Sequence, residues 1–262
     1  MLICPVCGKP LQLEERQAIC ENRHSFDIAK EGYFNLLRSG KSGDKIGDDK
    51  FSARSRRDFL SKGYYSLLRN YLTDLFSDKT GNLLDICCGE GYYTSALAHD
   101  GLQVYGFDIS REMVRLAAKR GNGNYFVANM ASIPVPDESF DYATHLFAPF
   151  IESEFARVLK PGGSLYSVMP GRYHLFGLKK AVYDTPYENE EKLPGTSQLK
   201  LIGTKKLSAN ILLETPEDIE AVFRMTPYYF HTSQKDREKL KEYSQLETPV
   251  EFLVAEYKKE GR

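Results

Sequence analysis

Leu83-Leu84-Asp85-Ile86-Cys87-Cys88-Gly89-Glu90-Gly91-Tyr92-Tyr93-Thr94 constrains this chain more than any other stretch. An apolar run leads into a glycine-bearing turn and then into a helix start. Without Cβ atoms, Gly89 and Gly91 let the backbone approach a ligand closely. The helix behind them presents unpaired N–H groups and the positive end of its dipole. A second apolar run, Gln103 to Phe107, ends in Asp108, 23 residues after Asp85. An acid at the end of the second strand is placed to take both hydroxyls of an adenosine ribose. The order strand, turn, helix, strand, acid therefore predicts a nucleoside cofactor.

The turn also discriminates between cofactors. A dinucleotide fingerprint needs Gly-x-Gly-x-x-Gly, whereas this chain has Cys87 in the first slot and Thr94 in the third. Asp85 at the mouth of the turn would repel a pyrophosphate. It suits instead the cationic methionine end of S-adenosylmethionine. Tyr125-Phe126-Val127-Ala128 is a third apolar run, and Asn129 follows where an adenine would lie. Pro134 to Asp141 reads as a turn into a strand over Tyr142–Phe147. Arg157 to Gly163 closes a helix with Pro and Gly, and Ser164–Met169 reads as another strand. Alternation at this spacing predicts a doubly wound α/β sheet with its ligand at the carboxyl ends of the strands.

The first residues carry a different signal. Cys4-Pro5-Val6-Cys7 and Cys20-Glu21-Asn22-Arg23-His24 give a C-x2-C pair and a C-x3-H pair with twelve residues between them. That spacing matches a closed, structural tetrahedral zinc site; a redox Cys-x-x-Cys would leave Cys20 and His24 unexplained. Residues 1–37 have few core side chains, namely Leu11, Leu13, Ile19, Phe26, Ile28, Phe34, Leu36 and Leu37. A structural zinc would add about 10–16 kcal/mol of apparent binding energy to so small a module. The expected organisation is a zinc module over 1–37, a Gly/Ser/Lys/Asp-rich linker over 38–53, and an α/β domain over 54–262. Residues 171–235 are expected to contribute substrate-side insertions.

Within the large domain, apolar positions from Phe59 to Phe76 recur at helical spacing. Gly63 interrupts them, which predicts two helices with a joint. Tyr65 lies beside the joint, facing either cofactor or core. His174 falls just past a strand end, as a structural donor or a site residue. Thr215-Pro216 predicts a capped helix start, Ser233 another cap, and Thr248–Tyr257 a last strand. No 18-residue apolar span and no signal peptide is visible, so a soluble, cytoplasmic protein with no membrane partner is expected. The net charge of −1 hides an acidic excess over 81–159 and a basic excess over 160–210. Such a flank suits a polyanionic substrate.

Taken together, these residues resemble the zinc-containing 23S rRNA (guanine-N1)-methyltransferases, the RlmA/TlrB group. The likeness runs through Cys4–Cys7–Cys20–His24, Phe26-Asp27, Lys30-Glu31-Gly32-Tyr33, Arg57, Phe59-Leu60, Gly63-Tyr64-Tyr65 and Asp85 to Thr94. It continues through Ala148-Pro149, Lys160-Pro161-Gly162-Gly163, Pro170-Gly171, His174-Leu175 and Met225-Thr226-Pro227. The resemblance implies a class I S-adenosylmethionine-dependent methyltransferase fold with an N-terminal zinc module. It implies a guanine substrate in an exit-tunnel hairpin of domain II of 23S rRNA, and a homodimer. It carries cofactor contacts over to Tyr65, Tyr93, Thr94 and His174, beside Asp85, Gly89, Gly91, Asp108 and Asn129 from the strand-end reading. Cys87 departs from the family's glycine, keeping a small side chain but restricting φ. Which guanine is modified, and with it any macrolide resistance, stays open.

Removal of the guanine N1 proton calls for a base. Glu152, Glu154 and His145 are the candidates, near Ala148-Pro149. Phe147, Phe150, Tyr228 and Tyr229 are candidates for stacking on the base. Two rival readings are a methyltransferase of a small metabolite, with the zinc module as a lid, and a non-catalytic zinc RNA-binding protein.

Overall fold

A computed structural model describes residues 1–37 and 50–261. Three short strands, β1 (Gln12–Glu14), β2 (Gln17–Ile19) and β3 (Ser25–Asp27), form an antiparallel ribbon. β4 (Phe34–Asn35) then leaves this ribbon and joins the main sheet. Two helices follow, α1 (Lys50–Ser61) and α2 (Ser66–Phe76), separated at Gly63 as the sequence predicts. Most of the expected 38–53 linker lies outside the described residues. Its last four residues form the first turn of α1, where Ala53 is buried against Met113 and Leu116.

The alternating part runs β5 (Gly81–Ile86), α3 (Thr94–Leu97), β6 (Leu102–Asp108), α4 (Arg111–Arg120), β7 (Asn124–Val127), β8 (Phe140–Leu146), α5 (Glu152–Val158) and β9 (Leu159–Pro170). Then come α6 (Phe176–Val182), β10 (Leu199–Leu213), α7 (Pro216–Arg224), α8 (Gln234–Glu238) and β11 (Leu246–Lys259). The eight-stranded sheet has the order β10-β11-β9-β8-β5-β6-β7-β4. β4, β7, β6, β5, β8 and β9 are parallel; β11 and β10 turn antiparallel. The chain order reverses between β6 and β8 on either side of β5, the switch point at which such sheets open a crevice.

Hydrophobic burial fixes both faces. On one, Leu68, Leu72 and Phe76 of α2 pack with Val222 and Phe223 of α7 and with Val254 and Phe252 of β11. On the other, Phe107, Phe126, Phe140, Phe155 and Tyr257 form a second core, into which Leu36, Phe26 and Phe34 of the N-terminal module also pack. Pairing of Phe34 with Phe126 and of Asn35 with Val127, and the bond from the Ile3 N–H to the Pro134 carbonyl, seat the module on the sheet. Residues 1–37 thus borrow part of their core from the large domain.

β10 is the element the sequence signals least. All but two residues in its middle and first half are exposed, so it lacks the alternation that marks a half-buried strand. It is held by pairing with β11 from Leu199 to Leu213. The stretch 171–235 therefore supplies an edge of the main sheet as well as α6 and α7. Among the described residues no helix is long and apolar enough to cross a membrane.

Candidate functional site

At the carboxyl end of β5 the backbone turns through Cys87 at φ 58°, Gly89 at φ 56° and Gly91 at φ 78°. Cys87 is thus in the left-handed region that L side chains visit at a cost of about 1–2 kcal/mol. Its thiol, buried beside Met130, is pushed up to about 12 by desolvation, so it is a packing group and not a nucleophile. At Gly91 an added Cβ would lie 2.9 Å from the Ala117 Cβ of α4. Glycine there lets the loop lie against that helix.

The loop is held from below and from the side. Asp85 is fully buried; its carboxylate accepts from the Thr94 hydroxyl at 2.5 Å and the Thr144 hydroxyl at 2.9 Å. Burial raises its pKa to about 6, against those two hydroxyls, which lower it. Asp85 thus reaches the cleft through Thr94 and not by facing it. Buried Glu90 accepts from Arg120 at 2.6 Å, tying the loop to the end of α4. Asp108, at the end of β6, accepts from the Gly89 N–H at 3.1 Å and from the Ser110 N–H at 2.8 Å. Ser110 in turn caps α4. Asn129 is exposed after β7, its Oδ1 accepting from the Ala131 N–H at 2.9 Å. Among the described residues the Tyr93 hydroxyl is buried without a hydrogen-bond partner, an unsatisfied group of the kind a ligand completes.

Across the switch point, a cavity of about 720 Å³ opens at the ends of β8 and β9. Tyr65 and His174 line it; the glycine loop, Asp108 and Asn129 do not. The expected cofactor residues therefore fall into two groups, one over β5–β7 and one in the cavity. Tyr65 bridges them, because it lines the cavity and belongs to the same buried cluster as Tyr93. The Glu251 N–H donates to His174 Nδ1 at 3.2 Å, which leaves the ring proton on Nε2, 3.0 Å from the Tyr65 hydroxyl. His174 is the donor in that pair, so the Tyr65 proton stays free for a ligand. Burial lowers the His174 pKa to about 4, keeping it neutral. Asp218 of α7 fixes the α1–α2 joint beside Tyr65 by accepting from Lys62 at 2.6 Å and Tyr64 at 2.8 Å.

The three expected bases are committed elsewhere. His145 Nε2 donates to the Pro149 carbonyl at 3.0 Å, so Nδ1 accepts from Ser167 at 3.1 Å, and burial lowers its pKa to about 4. Glu152 accepts from the N–H groups of Ser197, Gln198 and Leu199. Glu154 accepts from Arg157 and from the Ile133 N–H. Apart from Pro149 and Arg157, these partners are far in sequence from the groups they occupy, so the sequence did not mark them. Of the aromatic candidates, Phe147, Phe150 and Tyr228 line the cavity. Tyr229 instead stacks under Arg237, with 4.2 Å from guanidinium to ring centroid. Phe147 also has φ 56°, as does Leu175 at φ 57°. Cys87, Phe147 and Leu175 together place backbone strain around the cleft, where it commonly accompanies function.

In the N-terminal module, one ligand atom from each of Cys4, Cys7, Cys20 and His24 lies within 4.8 Å of the others. The Cys7 and Cys20 sulfurs are 3.7 Å apart, and Cys20 Sγ lies 3.4 Å from His24 Nδ1. A tetrahedron with zinc–sulfur bonds of ~2.3 Å has sulfur–sulfur edges of about 3.8 Å, so the set fits zinc. The knuckle comes from the Gly8 N–H bonding the Cys4 carbonyl, with Gly8 at φ 73°. All four positions are filled by protein, which makes the site structural.

Comparison with known proteins joins the two halves. Residues 84–167 match a family described as a methyltransferase domain, and residues 2–40 match the N-terminal zinc ribbon of RlmA. The 23S rRNA (guanine(748)-N(1))-methyltransferase of Streptomyces fradiae is 32% identical over 190 residues, covering 69% of this chain and 67% of that protein. YxjB of Bacillus subtilis (strain 168), provisionally assigned as a 23S rRNA (guanine-N(1)-)-methyltransferase, is 32% identical over 71% of this chain and 70% of its own. A demethylmenaquinone methyltransferase of Bacillus licheniformis is 30% identical but covers only 40% of this chain and 51% of its own.

Proposed function

The chain belongs to the zinc-ribbon 23S rRNA (guanine-N1)-methyltransferases, and on that premise we propose that it transfers a methyl group from S-adenosylmethionine to N1 of one guanine in 23S rRNA. The observation that carries this reading is the joining, by β4 on β7, of a Cys3His zinc module to a cleft with separate cofactor and acceptor halves. The small-metabolite reading needs the module as a lid, and no residue of 1–37 lines the cavity. The finer substrate is a domain II hairpin that lines the exit tunnel, and the working form is a homodimer. A ribosomal RNA acceptor calls for a cytoplasmic enzyme.

S-adenosylmethionine supplies a methyl group already activated on its sulfonium. The chain's task is then to hold donor and acceptor in line and to take a proton. We assign the ribose hydroxyls to Asp108, whose carboxylate also fixes the Gly89 N–H. Asn129 serves the adenine end, and Asp85, acting through Thr94, keeps the loop over β5 negative underneath. Tyr65, with its free proton, and the orphaned Tyr93 hydroxyl serve the methionine end. The zinc module (1–37) recognises RNA, and 171–235 shapes the acceptor side.

Incubation with labelled S-adenosylmethionine and either unmethylated 23S rRNA or small hydroxylated aromatics tests the reading. Label in RNA alone is expected. Label only in a small acceptor would overturn it.

A further inference from the structure

With His145, Glu152 and Glu154 committed, the acceptor cavity is left with one carboxylate among its lining residues, Glu190. Among the described residues it makes no hydrogen bond and no ion pair, and it is exposed. Its two neighbours are, by contrast, pinned. The Asn189 N–H donates to the Arg172 carbonyl at 2.9 Å, and its side chain donates to the Gly171 and His174 carbonyls at 2.9 and 3.1 Å. Buried Lys179 holds the Asn189 Oδ1 at 2.7 Å and the Tyr187 carbonyl at 3.0 Å. On the other side, Glu191 accepts from the Arg172 N–H at 2.7 Å and from Lys206 at 2.8 Å. The segment is thus fastened to the chain just past β9, and the residue between the fastenings is free to bind something else.

The chemistry of the acceptor identifies that something. A guanine presents N1–H and an N2 amino group side by side on its Watson–Crick edge, and a carboxylate accepts from both. Adenine offers an acceptor at N1 and would be repelled. Phe147, with 39% of its surface exposed, and Tyr228 supply aromatic surface for the base in the same cavity. Lys192 and Arg56 also line it, where cationic groups offset the charge that spreads from N1 onto O6.

We propose that Glu190 is the residue that selects guanine and removes its N1 proton. This deepens the proposed function and rests on it. The Glu190 carboxylate accepts the proton as the N–H bond breaks. The pair left on N1 forms the new bond to the methyl carbon, and the pair of the carbon–sulfur bond stays on sulfur, which becomes a neutral thioether. Glu190 then gives its proton to water.

The test compares the parent protein with Glu190→Gln, an isosteric change at an exposed position. Affinity for S-adenosylhomocysteine is read first and should stay within about threefold, which reports an intact cofactor half. Transfer to 23S rRNA at pH 7 should fall by about 10²–10⁴-fold, the usual share of a general base. The variant's rate should then climb about tenfold per pH unit above pH 7, as hydroxide replaces the missing base, while the parent's stays flat. A binding readout stands apart from turnover: an RNA hairpin with inosine, which lacks the N2 amino group, should bind the parent more weakly than one with guanosine, and the difference should shrink in the variant, whose single carbonyl oxygen accepts from only one of the two donors. Glu190→Gln with the parent's rate and pH profile overturns the proposal, as does undiminished preference for guanosine. If the parent itself leaves 23S rRNA unmethylated while binding cofactor, the proposed function fails and this assignment falls with it.

Discussion

Cys87 shows how much one side chain can cost at a turn built for glycine. Its φ of 58° is strained for any L residue, and its thiol is largely buried beside Met130. Replacement by Gly relieves about 1–2 kcal/mol of strain but gives up the buried sulfur and adds about 0.4–1 kcal/mol of unfolded-chain entropy. Cys87→Gly should therefore change stability by no more than about 1 kcal/mol, whereas β-branched Cys87→Val should lose at least ~2 kcal/mol. Urea unfolding of both variants measures this, and equal stability would contradict the strained geometry. His145 and His174 carry a pH signature. Burial lowers both to about 4, while the unfolded chain takes up a proton near 6.5. Between those values the unfolded state holds more protons, so each histidine costs about 1.4 kcal/mol per pH unit as the solution is acidified. Asp85 opposes them: raised to about 6, it protonates first in the folded chain and adds stability as pH falls from there towards 3.8. The expected outcome is a urea midpoint that drops between pH 6.5 and 4.5, with a visibly shallower drop in His174→Gln. An unchanged slope in the variant would mean that His174 protonates as readily folded as unfolded.

At the scale of elements, legibility follows the range of the interactions. β5, its glycine turn, α7 with its Thr215 cap and the Cys–His knuckles are all set by residues a few positions apart, and the sequence shows them. β10 depends on β11, some 40 residues on, and its exposed face leaves no periodicity to read. The roles of Glu152 and Glu154 depend on Ser197–Leu199 and Ile133, so on sequence alone they stand as free carboxylates beside the cleft. The two-residue β4 is similar: nothing in Phe34-Asn35 announces a partner at Phe126-Val127. That pairing has a consequence for the metal. Zinc holds the ribbon, and the ribbon positions β4 on β7, so stripping zinc should loosen 1–37 and uncover the β7 edge. After chelation, hydrogen exchange should quicken at Phe126 and Val127 as well as within the ribbon, while the β5–β8 amides stay protected. Loss of protection through the whole sheet would instead mean that the large domain cannot stand without the module.

The whole molecule is a cleft divided at its switch point. Over β5–β7 lie the groups suited to a nucleoside, and over β8–β9 lies a cavity with aromatic walls and a carboxylate, Glu190, unengaged among the described residues. Tyr65 and His174 join the two, held by Asp218 from α7 and by the Glu251 backbone from β11. The basic excess of 160–210 is spread, with Lys160 and Lys200 at the amino end of β9 and Lys192 in the cavity lining. Local motifs make the glycine loop and the acids over β5–β7 legible in the sequence; the cavity over β8–β9, lined by segments spread between Arg56 and Tyr228, emerged only from the fold. Reverse transcription across unmethylated 23S rRNA treated with the protein and S-adenosylmethionine tests the account most directly, because a methyl at guanine N1 blocks base pairing. The account predicts one new stop, next to a single guanine, with N1-methylguanosine as the modified nucleoside. Label on another base or another guanine atom, or no transfer by a zinc-loaded protein that binds the cofactor, would contradict it.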